Sequence, residues 1–204
     1  MFPPISSQWN TLKHPQTGDE YEVTLSTAQA LSDADFESCF RLIETTSSED
    51  YKKSKDGWKP RSKRKEMKLL DMKYFLIKKE NQVLGFVSFM PTYEDDYPVI
   101  YCYEIHLSSA LQRYVILLSL CTKPSTKDTR TGFGTIFMRH LETIALKIPG
   151  TEKTMLTVFT RNERGVKFYT KLGYDIYYSP PPKVLRNGTR VEAEYVIMDK
   201  AISR

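Results

Sequence analysis

Cysteine is scarce in this chain of 204 residues: Cys39, Cys102 and Cys121 are the only three. The number is odd and no spacing suits a metal site. Neither a disulfide framework nor a bound metal is expected, and a reducing compartment is. Long apolar runs are also missing. The longest, Tyr114 to Cys121, is far too short to span a bilayer. The start, Met1-Phe2-Pro3-Pro4, lacks the charged and apolar regions of a signal peptide. A soluble intracellular protein without membrane attachment is the expectation. No charge of one sign dominates. The net charge of +5 does not by itself argue for nucleic acid. Internal repeats and long low-complexity segments are absent.

What is present suffices for one core. With 40% hydrophobic residues, 204 residues can bury a single well-packed domain. Residues 1–19 are polar and read as an extended N-terminal arm, with the domain proper over 20–204. Tyr21-Glu22-Val23-Thr24-Leu25 alternates as a first strand. Ser32-Asp33-Ala34-Asp35 resembles a capping box, and Phe36, Cys39, Phe40 and Ile43 then share one helical face. Residues 44–57 read as a polar loop. The run Trp58 to Met67 is basic, with Lys59, Arg61, Lys63, Arg64 and Lys65. It reads as a solvated helix face, with a nuclear localisation signal as the sharper alternative. Met72–Lys78 and Val83–Phe89 predict a hairpin about Glu80-Asn81-Gln82. An acidic loop, Thr92 to Pro98, leads into a buried strand over 98–107. A helical stripe follows at Ile136, Phe137, Leu141, Ile144 and Ala145. Then come a strand at Met155–Phe159, a short helix from Asn162, a strand at Tyr174–Tyr178 and a closing strand at Glu194–Met198. The order β-α-α-β-β-β-α-β-α-β-β predicts one mixed α/β domain.

The stretch that organises the chain is the strand Tyr101-Cys102-Tyr103-Glu104-Ile105-His106-Leu107 together with Arg130-Thr131-Gly132-Phe133-Gly134-Thr135. Strand, glycine turn and helix N-terminus form an arrangement that can cradle a phosphate on backbone N–H groups. A lone G-x-G is weak evidence, and an ordinary loop is the plain alternative. The neighbours strengthen it. Asn162-x-x-Gly165-x-x-x-Tyr169-x-x-x-Gly173-Tyr174 agrees at several spaced positions with the acetyl-CoA elements of GNAT acetyltransferases, which the chain resembles. The fold this implies is a central, mostly antiparallel sheet with splayed middle strands, flanked by helices. Gly57-Trp58-Lys59, Lys63-Arg64-Lys65-Glu66-Met67, Tyr101-Cys102-Tyr103-Glu104 and Met155-Leu156-Thr157-Val158-Phe159 resemble more narrowly the NatD-type N-alpha-acetyltransferases. That resemblance implies transfer of acetyl to the N-terminal serine of histone H4 and the 2A histone, which begin Ser-Gly-Arg-Gly. It also implies a monomer of nucleus and cytoplasm that takes histone N-terminal peptides as partners and needs neither nucleic acid nor metal. Other acceptors, a lysine or a small-molecule amine, stay open, as does a non-catalytic binding module.

Such an enzyme must hold acetyl-CoA, admit an amine and remove its proton. The turn Thr131 to Thr135, with Gln112, Arg130 and Ile136 beside it, is expected to take the pyrophosphate. The backbone of Ile105, His106, Leu107 and Ser108 is expected to line the pantetheine, with Thr157 and Asn162. Tyr169 stands where many relatives place an acid near the thioester sulfur. Core packing is its other reading. Glu104 is the candidate base, with Tyr103 beside it in the catalytic pair. Desolvation among Tyr101, Phe89 and Tyr195 is expected to raise its pKa into a useful range. The plain alternative is a structural carboxylate satisfied by a cation. Glu94, with Asp95 and Asp96, is expected to meet the arginine of the peptide, unless the three form a solvated turn. Tyr51, Tyr101, Tyr103 and Tyr195 match tyrosines of the peptide groove, and Trp58 reads as a core anchor.

One segment breaks the pattern. The family motif in the pyrophosphate turn is Gln/Arg-x-x-Gly-x-Gly/Ala, and Thr129 occupies its first place. Removing 113–129 joins Gln112 to Arg130 and restores Gln-Arg-Thr-Gly-Phe-Gly. Arg-Tyr-Val and Ser-Thr-Lys within this piece can be encoded by splice donor and branch signals. The expectation is that 113–129 is translated intron, foreign to the cofactor loop. A genuine divergent loop is the alternative.

Overall fold

The computed structural model describes residues 11–13, 18–111, 132–184 and 186–202. Gln112, Arg130, Thr131, the segment 113–129 and most of the expected arm lie outside the described residues. Residues 109–111 are helical, and ten strands and four helices have both ends within the described residues. They are β1 (Thr11–Lys13), β2 (Glu20–Thr27), α1 (Asp33–Lys52), α2 (Pro60–Met67), β3 (Lys73–Lys79), β4 (Gln82–Glu94), β5 (Tyr97–Leu107), α3 (Phe133–Lys147), β6 (Lys153–Phe159), α4 (Glu163–Lys171), β7 (Asp175–Tyr178), β8 (Lys183–Val184), β9 (Arg190–Val191) and β10 (Tyr195–Ala201). Eight strands form one sheet in the order β1-β2-β3-β4-β5-β6-β10-β7, and β8 and β9 form a small separate ribbon. Only the β5–β6 pairing in the large sheet is parallel. This is the mixed sheet flanked by helices that the sequence predicts. Among the described residues no helix is long and apolar enough to cross a membrane.

Three local expectations change. Thr11–Lys13, expected within an extended arm, pair with Glu20–Glu22 as an edge strand. Residues 44–52, expected as loop, continue α1. The apolar stripe ends at Ile43, but the same face continues through Ser47 to Tyr51 at helical spacing. Thr45 and Thr46 return their hydroxyls to the carbonyls of Arg41 and Leu42, so the polar half keeps its hydrogen bonds. At the start, Ser32 accepts from the Asp35 amide as the cap. The acidic loop is shorter than expected. β4 and β5 run on to Glu94↔Tyr97, and Asp95 and Asp96 alone make the turn, both at positive φ. Two consecutive left-handed residues are what a two-residue hairpin turn requires, and Asp tolerates them.

The sheet divides two apolar layers. One holds Phe75, Val87, Phe89, Ile100 and Cys102 against Phe137, Leu141 and Ile144 of α3. The other holds Tyr74, Leu76 and Phe86 against Phe36, Phe40 and Ile43 of α1 and Met67 of α2. Strand β5 changes sides between them. Its register jumps from Phe89↔Cys102 to Ser88↔Glu104, which leaves Tyr103 as an extra residue. A bulge of this kind inverts the alternation. Cys102 faces the α3 layer and so does Ile105, which puts Glu104 and His106 on the α1/α2 side.

Phe137 is fully buried and meets Phe75 edge-on with ring centroids 5.8 Å apart. Phe137→Ala is expected to cost about 3–5 kcal/mol through lost transfer energy and cavity formation, read as a lowered urea midpoint with an unchanged slope.

Candidate active site

Strands β5 and β6 pair from Val99↔Lys153 to Cys102↔Leu156 and then part. Beyond that point their backbones diverge and open a cleft between Glu104–His106 on one side and Thr157–Phe159 on the other. Tyr101 and Thr157 share a 2.5 Å hydrogen bond between their hydroxyls next to where the strands separate. Asn162 and Tyr169 of the α4 segment line the cleft, as do Asp50 and Tyr51 near the end of α1.

Glu104 lies at the centre of a buried charge cluster. Its Oε1 accepts from Lys63 Nζ at 2.8 Å and from the Tyr51 hydroxyl at 2.9 Å. Its Oε2 lies 2.6 Å from His106 Nε2. His106 Nδ1 lies 2.6 Å from Thr46 Oγ1. Lys63 Nζ also donates to Glu66 Oε1 at 2.7 Å and to the Tyr51 oxygen at 2.9 Å. Glu104 and Lys63 are each 8% exposed and His106 is 6% exposed.

Two expectations are corrected here. Desolvation was expected to raise the pKa of Glu104. Burial does push it up, but the hydrogen bond and charge of His106 and the charge of Lys63 outweigh it, and the carboxyl is held at about 2. The basic run of α2 was expected on a solvated face. Arg61 and Lys65 are exposed there, but Lys63 is buried. Burial alone would lower the Lys63 pKa. The charges of Glu104, Tyr51 and Glu66 reverse that and raise it. Its place four residues before Met67, the one apolar residue of α2, was the available signal. His106 was expected to offer its backbone, yet its side chain makes the contact. Thr46 was missed because the loop assigned over 44–57 hid its helical phase.

Tyr101 and Tyr103 pack in a tilted pair with ring centroids 5.5 Å apart. Tyr51 packs on Trp58 and edge-on to Phe159. Phe159 is paired with Tyr195, which is partly exposed. Glu94 makes no ion pair among the described residues, and its charge is felt by Tyr101 and Tyr103, whose hydroxyls burial pushes up first. Asp95 instead accepts from the Tyr177 hydroxyl at 2.6 Å. The N-terminus of α3 begins at Gly132, which has no side-chain cap. The amides of Thr135 and Ile136 are bonded back to Gly132 O. Phe133 is buried edge-on to Tyr21. Gly134 allows close approach of α4, since a Cβ there would sit 3.2 Å from the Phe168 ring. Asn162 caps α4 through Oδ1 to the Gly165 amide. Tyr169 is buried in the α3 layer, and among the described residues its hydroxyl has no hydrogen-bond partner.

The profile of the acetyltransferase (GNAT) family matches residues 37–174. The chain belongs to that family. Solved structures with the same fold include Arabidopsis thaliana NAA60 with a bisubstrate analogue, at TM-score 0.59 and 9% identity, covering 89% of this chain and 99% of that one. The ribosomal-protein-S18-alanine N-acetyltransferase of Escherichia coli matches at TM-score 0.55 and 14% identity over 89% and 95%. An aminoglycoside 6'-N-acetyltransferase complexed with coenzyme A matches at TM-score 0.55 and 17% identity over 89% and 98%. The GNAT chain described here is thus built as an acetyl-CoA-dependent acetyltransferase, with its strand separation between β5 and β6.

The charge cluster has a measurable signature in stability. The Glu104 pKa is depressed from 4.5 to about 2 on folding. Its contribution is therefore present above about 4.5 and is lost as pH falls through about 2. That window is worth roughly 3 kcal/mol for this group. Chemical denaturation across this range should show Glu104→Gln missing that part of the wild-type loss.

Proposed function

We propose that this acetyltransferase acts on the α-amine of a peptide beginning Ser-Gly-Arg-Gly, as histone H4 and the 2A histone do. The observation that carries the reading is the ionised Glu104 carboxylate at the strand separation, with Glu94, which makes no ion pair among the described residues, on the β4–β5 hairpin of the same sheet. The residues present fit acetyl-CoA. The cleft has diverging strand edges for an extended pantetheine arm. The α3 N-terminus packs through Gly134 on Phe168 of α4, whose Asn162 and Tyr169 line that cleft. Ile105, His106, Leu107, Ser108 and Thr157 would line the arm. Gly132, Phe133, Gly134, Thr135 and Ile136, with Gln112, Arg130 and Thr131, would form the pyrophosphate end. Bound there, acetyl-CoA supplies the acetyl group as a thioester.

Glu104 receives the acceptor nitrogen. Its oxygens offer about four lone-pair sites, and Lys63, Tyr51 and His106 occupy three. One remains for an amine or an ordering water. A carboxylate held at about 2 cannot take a proton outright from an α-ammonium near 8, since that transfer is uphill by about 8 kcal/mol. Glu104 therefore orients the nitrogen after its ammonium has lost a proton to bulk solvent, which at pH 7 costs only about 1.4 kcal/mol for an α-amine near 8. Burial pushes the Tyr169 hydroxyl well above its ordinary value, so it stays protonated and can offer a hydrogen bond, not its proton, to the departing sulfur. Tyr51, Tyr101, Tyr103 and Tyr195 form the wall for the first residues of the peptide. Glu94 offers a bidentate partner to the arginine.

A second reading is favoured by the likeness to aminoglycoside N-acetyltransferases. Asp50 at the cleft and Glu94 would also suit a polycationic small amine. Mass spectrometry separates the two readings. A Ser-Gly-Arg-Gly peptide should gain one acetyl group, while an N-terminally blocked peptide with an internal lysine, and a panel of aminoglycosides, should not. The full chain and a version lacking residues 113–129 should be compared, because the shorter one restores the motif and is expected to bind acetyl-CoA more tightly. Loss of acetyl-CoA binding in both would point to a non-catalytic module.

Two variants test the roles. Glu104→Gln is expected to lower kcat at least about tenfold with acetyl-CoA affinity nearly unchanged. Replacing the peptide's arginine with alanine should raise KM far more than the same change at its fifth residue. In Glu94→Ala that difference should shrink, and an undiminished preference for arginine would assign the contact to another acid.

A further inference from the structure

Lys63 is a positive charge built in behind the cleft, and the reaction proposed above does not use it. Its three hydrogens meet three acceptors, Glu104 Oε1, Glu66 Oε1 and the Tyr51 oxygen. It has no hydrogen left to bind a substrate. It nonetheless sits one hydrogen bond behind the carboxylate that would receive the acceptor nitrogen.

We propose that Lys63 is a positioning residue that keeps the acceptor amine unprotonated. Anchored 2.8 Å from Glu104, it repels a second positive charge at that carboxylate. This rests on Glu104 receiving the nitrogen, as set out above. A like charge within about 4–6 Å disfavours an ammonium relative to the amine. The same device activates catalytic lysines beside another cation. The acceptor loses one proton to water as it docks. Its lone pair then forms the C–N bond as the C–S bond breaks, and the second nitrogen proton ends on the coenzyme sulfur.

The groups around Lys63 make the sign depend on it. Glu66 comes from α2, Tyr51 from α1, Tyr74 from β3, and Glu104, with His106 on its other oxygen and Tyr103 beside Glu66, from β5. Asp50 lies at the cleft. Lys63 with Glu66 and Glu104 carries one net negative charge. Without Lys63 the two carboxylates carry two, so they would hold an ammonium more strongly and raise its pKa further. Cation and carboxylate thus divide the work: Glu104 orients the nitrogen, and Lys63 keeps its lone pair available.

The test is the pH profile of kcat/KM for a Ser-Gly-Arg-Gly peptide, from about pH 6 to 10. In Lys63→Met the acidic limb is expected to move up by about one unit or more. Activity at pH 7 should fall about tenfold and approach wild type near pH 9.5. Lys63→Arg keeps the charge and should keep the limb in place. If Lys63→Met does not fold, Lys63→Gln retains donors without charge and carries the same expectation. An equal loss at every pH, or higher activity at neutral pH, overturns the proposal. If the wild type ignores the peptide but acetylates a small amine, the acceptor assignment fails. The same profiles on that amine then decide the role of Lys63. Absence of transfer to any amine removes both.

Discussion

A carboxylate buried between two basic side chains fixes how α1, α2 and β5 meet. Taking Glu104 and Lys63 out of water costs several kcal/mol for each ion, and their attraction only offsets this when the remaining lone pairs and protons are also bonded. Here all three protons of Lys63 and all but one of the lone-pair sites of Glu104 are bonded, through each other and through Tyr51, Glu66 and His106. Such a cluster adds little net stability compared with apolar packing, but leaving one partner alone is expensive. Its effect is to exclude other arrangements. Helix α2 shows this plainly. It has eight residues, is strongly polar, and buries only Lys63 and Met67. Without the ion pair, the Met67 side chain and the Tyr74 hydroxyl on the Met67 carbonyl would hold it to the sheet.

The cluster in turn depends on one extra residue. With regular alternation Glu104 would share a face with Cys102 and point into the α3 layer, where burial would protonate it. The bulge at Tyr103 sends it to the other side. The pairing with β6 ends next to the same place, at Cys102↔Leu156. Adjacent residues of one strand therefore both turn the functional side chains toward α1 and α2 and release the strand edges that open the cleft. Site and cleft cannot be displaced from one another without moving the bulge.

Much of this was legible in the sequence, because period-two and helical apolar patterns mark β2 to β6, β10, α3 and the first half of α1. Glu104 stood out as an acid in an aromatic strand. Its pKa was misjudged because burial is visible in the strand's own composition, whereas the opposing charge of Lys63 comes from a distant helix. Lys63 itself was hidden in a run of like residues, where only the spacing to Met67 distinguishes it. The bulge has no local mark in Tyr101–Glu104. The second half of α1 was missed because its buried face, Ser47 and Tyr51, is polar where it meets the charge cluster and the cleft. In each case the misreading fell where function replaces an apolar contact with a polar one.

That replacement bears on which amine such a site accepts. A base near neutrality would serve lysine and α-amine alike once the geometry suited them. A carboxylate held at about 2 serves neither as an outright proton acceptor. The acceptor must then arrive with its lone pair free, or be brought to that state by the charges around it. At neutral pH a lysine amine costs about 3 kcal/mol more to deprotonate than an α-amine, a factor of over a hundred in the reactive fraction. With the roles proposed for Glu104 and Lys63, the cluster would discriminate by proton affinity before any pocket reads the side chain. On the same proposal, the tyrosine wall and Glu94 would choose only among amines that have already passed that filter.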